Sequence, residues 1–167
     1  MDLRIADLLL SEFDRETAVT RQLLAVVPES RSGWRPKDDV PTLGELVMEV
    51  AARPAELGIL LEASSLDYRV GHAGGAFTSM TAALKAFDAG VARSRRALGM
   101  ATDAMLTAPV TLVDEHGMGT AHQRLEALRA LGFNRMIHAR GQLSVYLRLC
   151  DVRLPSIYGP AIDPPPA

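Results

Sequence analysis

Apolar residues recur at steps of three and four along most of the chain, the repeat of helices that bury one face. Ile5, Leu8, Leu9, Phe13, Leu23, Leu24 and Val27 mark a first helix over about 3–27, stopped by Pro28. Glu16 and Thr20 interrupt its stripe. Polar groups on a core-facing stripe either line a cavity or find hydrogen-bond partners there. After a turn-rich connector over 29–41, which holds Trp34, the run Thr42-Leu43-Gly44-Glu45 reads as a capping box. The second helix continues through Leu46, Val50, Leu57, Leu60 and Leu61, with a bend expected at Pro54. A glycine-rich link with His72 over 70–75 lacks the flanking strand and the Lys-Ser/Thr of a phosphate loop.

The third helix is predicted over 78–101, with Met80, Leu84, Phe87, Val91 and Leu98 inward and Lys85, Arg93, Arg95 and Arg96 in solvent. Residues 108–113 are the one β-prone stretch, and the turn at 114–117 after them predicts a short hairpin or an extended crossover. The fourth helix is predicted over 120–150, with Leu125, Leu128, Leu131, Arg135, Ala139, Gln142, Tyr146 and Leu149 facing inward. One bundle domain over 1–160 and a proline-rich tail over 161–167 follow from this division.

Composition narrows the picture. Hydrophobic residues make up 48% and aromatics only 5% of the 167 residues, which suits helices packed through aliphatic side chains. A net charge of −2 gives no basic excess for nucleic acid. The single cysteine, Cys150, excludes an internal disulfide and reads as a small buried hydrophobe. Acids at Asp7 and Glu12 break the first apolar run, so neither a signal peptide nor a membrane span is expected, and a cytoplasmic protein is.

Three stretches, in order, resemble the DinB family of small bacterial proteins: Trp34-Arg35-Pro36 leading into Thr42-Leu43-Gly44-Glu45-Leu46, then Arg140-Gly141-Gln142-Leu143-Ser144-Val145-Tyr146, then Pro155-Ser156-Ile157-Tyr158-Gly159-Pro160. The resemblance implies an all-α, up-down four-helix bundle with one long crossover, often a homodimer. It also implies a central divalent metal held by a histidine of the second helix and a His-x-x-x-His pair of the fourth, in proteins that include thiol-dependent transferases. Residues four apart share a helix face, so such a pair can meet one ion.

Counted from these motifs, the three ligand positions hold Glu49, Arg135 and Ala139. A methyl group cannot bind metal, and a guanidinium repels a cation. His138 stands one residue, about 100° of helix, from the second fourth-helix position. This reading expects no cofactor and pairs Glu49 with Arg135 across the bundle, the alternative being a pair between Glu49 and Arg53 on one helix. A new metal site from Glu16, Glu49 and His138 is a further alternative, opposed by the charge of Arg135. Glu16, Thr20, His138, Gln142 and Tyr146 are the candidates to line a central small-ligand cavity. The expected function is a binding or stress-associated module with a degenerate metal site, a homodimer without nucleic-acid or membrane partners. The alternative is a thiol-dependent transferase or metal-dependent hydrolase with zinc or nickel in a rearranged site and a thiol as ligand.

Overall fold

A computed structural model describes residues 4–67 and 75–159. Residues 70–74 of the expected link, His72 among them, and the tail at 161–167 lie outside the described residues. Four long helical segments form the bundle. They are α1 (Ile5–Ala25), α2 (Leu43–Glu62), α3 (Met80–Met100) and a last helix over 124–149. None among the described residues is long and apolar enough to cross a membrane.

The capping box at the start of α2 is present. Glu45 N–H donates to Thr42 Oγ1 at 3.2 Å, and Thr42 N–H donates to Glu45 Oε2 at 2.7 Å. Ser79 caps α3 in the same way, accepting from Ala82 N–H. A short α4 (Asp103–Thr107) follows, capped by Thr102.

Ion pairs fix the helix directions. Arg95 pairs with Asp14 and Arg21 with Asp88, so α1 and α3 run antiparallel. Gly44 lies against Phe77, and Ala55 against Gly90, so α2 and α3 run parallel and need the long crossover over 63–79 between them. Arg129 pairs with Glu12 and Arg140 with Glu16, which sets α1 parallel to the last helix. The order is therefore up-down-down-up.

The predicted hairpin exists as β2 (Pro109–Val113) antiparallel to β3 (Gly119–Gln123). A strand that the sequence did not announce, β1 (Ser65–Asp67), pairs parallel to β2 and completes a three-stranded sheet. The last helix consequently begins at Arg124, not at 120, because residues 120–123 are held in β3. It comprises α5 (Arg124–Ala127), a π-helical segment Leu128–Asn134, and α6 (Arg135–Leu149). The buried Arg124 joins sheet and bundle. Its guanidinium donates to the Leu60 and Ala63 carbonyls at 2.5 and 2.6 Å, satisfying the C-terminal end of α2.

Pro54 lies inside α2, where its ring removes one donor from the ladder. One turn further on, Ser94 of α3 enters that ladder. Gly58 N–H donates to Ser94 Oγ at 2.8 Å, and Ser94 Oγ donates to the Pro54 carbonyl at 2.5 Å. The hydroxyl thus bridges the Gly58 N–H and the Pro54 carbonyl, and a side chain inserted into the ladder is one of the recognised causes of a helix bend. Such intrusion needs close helices. At Gly90 a Cβ would stand 2.9 Å from the Ala55 nitrogen.

Candidate functional site: a polar layer at the waist of the bundle

The apolar core is divided into two halves. One holds Leu23, Leu46, Val50, Phe87 and Leu143, the other Phe13, Leu57, Leu98, Phe133 and Met136. Between them along the helices stand Glu16, Thr17 and Thr20 of α1, Arg53 and Glu56 of α2, Ser94 of α3 and Arg140 of α6. Every long helix thus contributes a polar side chain at one level. Burying charges without tight pairing is costly, so the partners decide what this layer can be.

Arg140 is 1% exposed and Glu16 8%. Arg140 Nη2 lies 2.6 Å from Glu16 Oε2. Nη1 donates to the Glu16 carbonyl at 3.1 Å and to Thr20 Oγ1 at 3.4 Å. Thr20 Oγ1 in turn donates to that carbonyl at 2.7 Å. Tyr158, from the segment after α6, closes the group. Its hydroxyl accepts from Arg140 Nη2 at 2.5 Å and donates to Glu16 Oε2 at 2.7 Å. The Arg140 guanidinium also stands 4.9 Å from the centre of the Tyr158 ring. The residue is 70% exposed, yet its hydroxyl end points inward. Burial of that end and the bond given to Glu16 push the phenol above its ordinary range.

On α2, Arg53 bridges two acids, donating to Glu49 and, at 2.7 Å, to Glu56. Its Nε–H is buried without a hydrogen-bond partner among the described residues.

This arrangement corrects the expected pair of Glu49 and Arg135. Glu49 is held by Arg53, four residues on along its own helix, where side chains face one another at low entropic cost. Arg135 is half-buried, and no hydrogen bond or ion pair engages it among the described residues. Ala139 packs in the apolar core. A carboxylate already bound to a guanidinium, a second guanidinium and a methyl do not fit a divalent ion. Nor do Glu16, Glu49 and His138 converge on one. Glu16 is tied to Arg140 and Glu49 to Arg53, while His138 is exposed. No group of three or more His, Cys, Asp or Glu able to hold a metal occurs among the described residues.

The expected cavity residues separate in the same way. Glu16 and Thr20 are buried, joined to Arg140 by hydrogen bonds. His138 and Gln142 are exposed on α6. Tyr146 is structural, donating to the Pro41 carbonyl at 3.0 Å and meeting Trp34 edge-on at 5.8 Å between ring centres. The sequence reading missed Arg140, Tyr158, Arg53 and Ser94 as site residues. Arg140 did carry a signal. It falls on the apolar series Met136, Leu143, Leu147 at helical steps, where a cation requires a buried acid, and Glu16 was the acid lacking a partner.

No family model matches the chain, and no curated protein does. Solved structures do. A DinB-like protein from Bacillus cereus is 24% identical with a TM-score of 0.69, the match covering 89% of this chain and 95% of that one. A DinB-like protein from Bacillus subtilis is 18% identical with a TM-score of 0.68, covering 89% of this chain and 96% of that one. The parallel α2 and α3, the long crossover between them and these likenesses lead to one conclusion: this chain has the DinB-like fold.

Proposed function

We propose that the protein is a binding module that works without a divalent ion, with the polar layer at its waist as the site for a small polar ligand. The observation that carries this is the pair of Arg140 and Glu16, buried between two apolar half-cores. A buried ion pair is a poor way to gain stability, since an apolar layer of equal volume does as well or better. Its presence at the level where all four helices offer polar groups is therefore read as functional. The spare Nε–H of Arg53 adds a donor for a ligand oxygen. A homodimer, a cytoplasmic location and a role in stress are part of the proposal, and rest on the resemblance of the sequence motifs.

A second reading is a thiol-dependent transferase or hydrolase with a rearranged zinc or nickel site. What favours it is the π-helical segment ending next to Arg135, because such segments are frequent at functional sites. Plasma mass spectrometry on untagged protein separates the two. Substoichiometric zinc, nickel and iron are expected. One ion per chain, lost in Glu49→Gln or His138→Ala, would overturn the first reading and support the second.

A further inference from the structure

The geometry around Tyr158 points to a ligand class: we infer that the waist takes a small phenol, and that Tyr158 is the chain's own stand-in for it, held on a strap that the ligand displaces. This inference rests on the reading of the waist as a ligand site. Arg140 is 1% exposed, while Tyr158 is 70% exposed with its ring 4.9 Å from the guanidinium. On that side, the ring is what stands between the cation and solvent.

The chain reaches this position as a lightly held segment. It turns out of α6 at Asp151, whose φ is 60°. Leu154, 4% exposed, then pins it in the half-core of Leu23 and Leu143. From 155 to 159 there is no helix or strand. Ser156 Oγ donates to the Gly159 carbonyl within the segment. Among the described residues, the hydrogen bonds that tie 155–159 to the helices all pass through the Tyr158 hydroxyl. Breaking one side chain's contacts therefore frees the strap beyond Leu154 from the polar groups beneath it.

The place that this hydroxyl holds is selective. It lies 2.5 Å from Arg140 Nη2, which can only donate, and 2.7 Å from Glu16 Oε2, a carboxylate oxygen that only accepts. A single atom seated there must accept from one and donate to the other. An ionised carboxylate has no proton for Glu16, and an ammonium has no lone pair for Arg140. A hydroxyl or a water has both. The guanidinium over the ring adds a second demand, for a π face against the cation, which neither water nor an aliphatic alcohol meets. A hydroxyl carried on an aromatic ring satisfies both demands. Since Tyr158 already does so from within the chain, a free phenol must compete with a tethered one, whose effective concentration on a short flexible link is of millimolar order. The tether thus sets a threshold below which the waist stays closed.

The test is a titration of the full chain with p-cresol, the tyrosine side chain without its backbone, followed through backbone amide NMR shifts. Wild type, Tyr158→Phe and Tyr158→Ala are compared, and circular dichroism checks that the variants remain folded, which the exposure of the residue favours. Tyr158→Ala should bind p-cresol about tenfold or more tighter than wild type, with shifts centred on Glu16 and Arg140. Tyr158→Phe, which keeps the ring and loses both hydrogen bonds, should fall between them. Wild type should saturate at the higher concentration. Toluene binding to Tyr158→Ala as well as p-cresol would reveal a mere apolar hole and overturn the phenol class. Binding of p-toluate or p-toluidine in preference to p-cresol would overturn that class and leave the waist a ligand site. Binding of none of them would overturn both readings together. A wild type that binds as tightly as Tyr158→Ala, or that never saturates, would overturn the exchange between strap and ligand.

Discussion

Arg140 and Glu16, on the last and first helices, meet with 2.6 Å between Nη2 and Oε2 at a level where both are buried. The pair is supported on both sides. Thr20 fills one side of the guanidinium, and the Tyr158 hydroxyl bonds both charged groups at once. The motif stretches 140–146 and 155–160 are thereby joined, one supplying the cation and the other the phenol that covers it.

Tyr158→Phe keeps the ring over Arg140 and removes the hydroxyl. The phenol is raised above its ordinary value near 10 by burial and by its bond to Glu16, so the folded state favours the protonated form. Stability owed to that proton is complete below pH ~10 and is lost as pH rises through the higher folded value. Urea unfolding from pH 7 to 11 should show a constant difference between wild type and Tyr158→Phe up to about pH 9, shrinking above 10. A difference that holds unchanged to pH 11 would separate the phenol from this network.

Ser94→Ala removes the hydroxyl that bridges Gly58 N–H and the Pro54 carbonyl. Unless α2 closes on itself, two buried backbone groups lose their partner, at a cost of about 1–3 kcal/mol. Chemical denaturation measures this. Hydrogen exchange at Gly58 gives the local signature, with faster exchange expected there than at Leu46. Unchanged stability would mean that the direct rung forms as soon as the serine is gone.

Arg124→Met tests the join between sheet and bundle. The carbonyls of Leu60 and Ala63 lose a charged donor, and a loss of about 1.5–3 kcal/mol is expected. Exchange protection should fall first at the end of α2 and in β2. A loss spread evenly over all helices would contradict a capping role.

Much of the bundle is legible in the sequence. The Thr42 and Glu45 box, the helix spans of α1 to α3 and the hairpin after 108 all follow from local rules that a single sequence displays. The last helix was harder, for a physical reason. A uniform helical period carried on from Leu128 predicts Arg135, Ala139, Gln142 and Tyr146 inward. The observed inward series Met136, Arg140, Leu143 and Leu147 stands one residue later at each step, and of the four predicted positions only Ala139 is buried. The π segment at 128–134 inserts that residue, and nothing in its composition announces it. The shift hid Arg140 among motif residues without a role and placed Gln142 inside when it is exposed. Pairing across helices is likewise invisible to local rules. Arg53 could be weighed as a partner for Glu49, but its choice over Arg135 depended on the rotation of α6.

The central claim is that a buried ion pair, joining the first helix to the last, organises the waist of this bundle. A double-mutant cycle on Glu16→Gln and Arg140→Met, followed by denaturant unfolding at neutral pH, measures it directly. Each single substitution should cost about 3–5 kcal/mol, because it strands the other group in an apolar setting. The double variant should cost much less than their sum, giving a coupling of at least ~2 kcal/mol. Additive single costs, with a coupling near zero, would contradict the claim and leave the polar layer without its anchor.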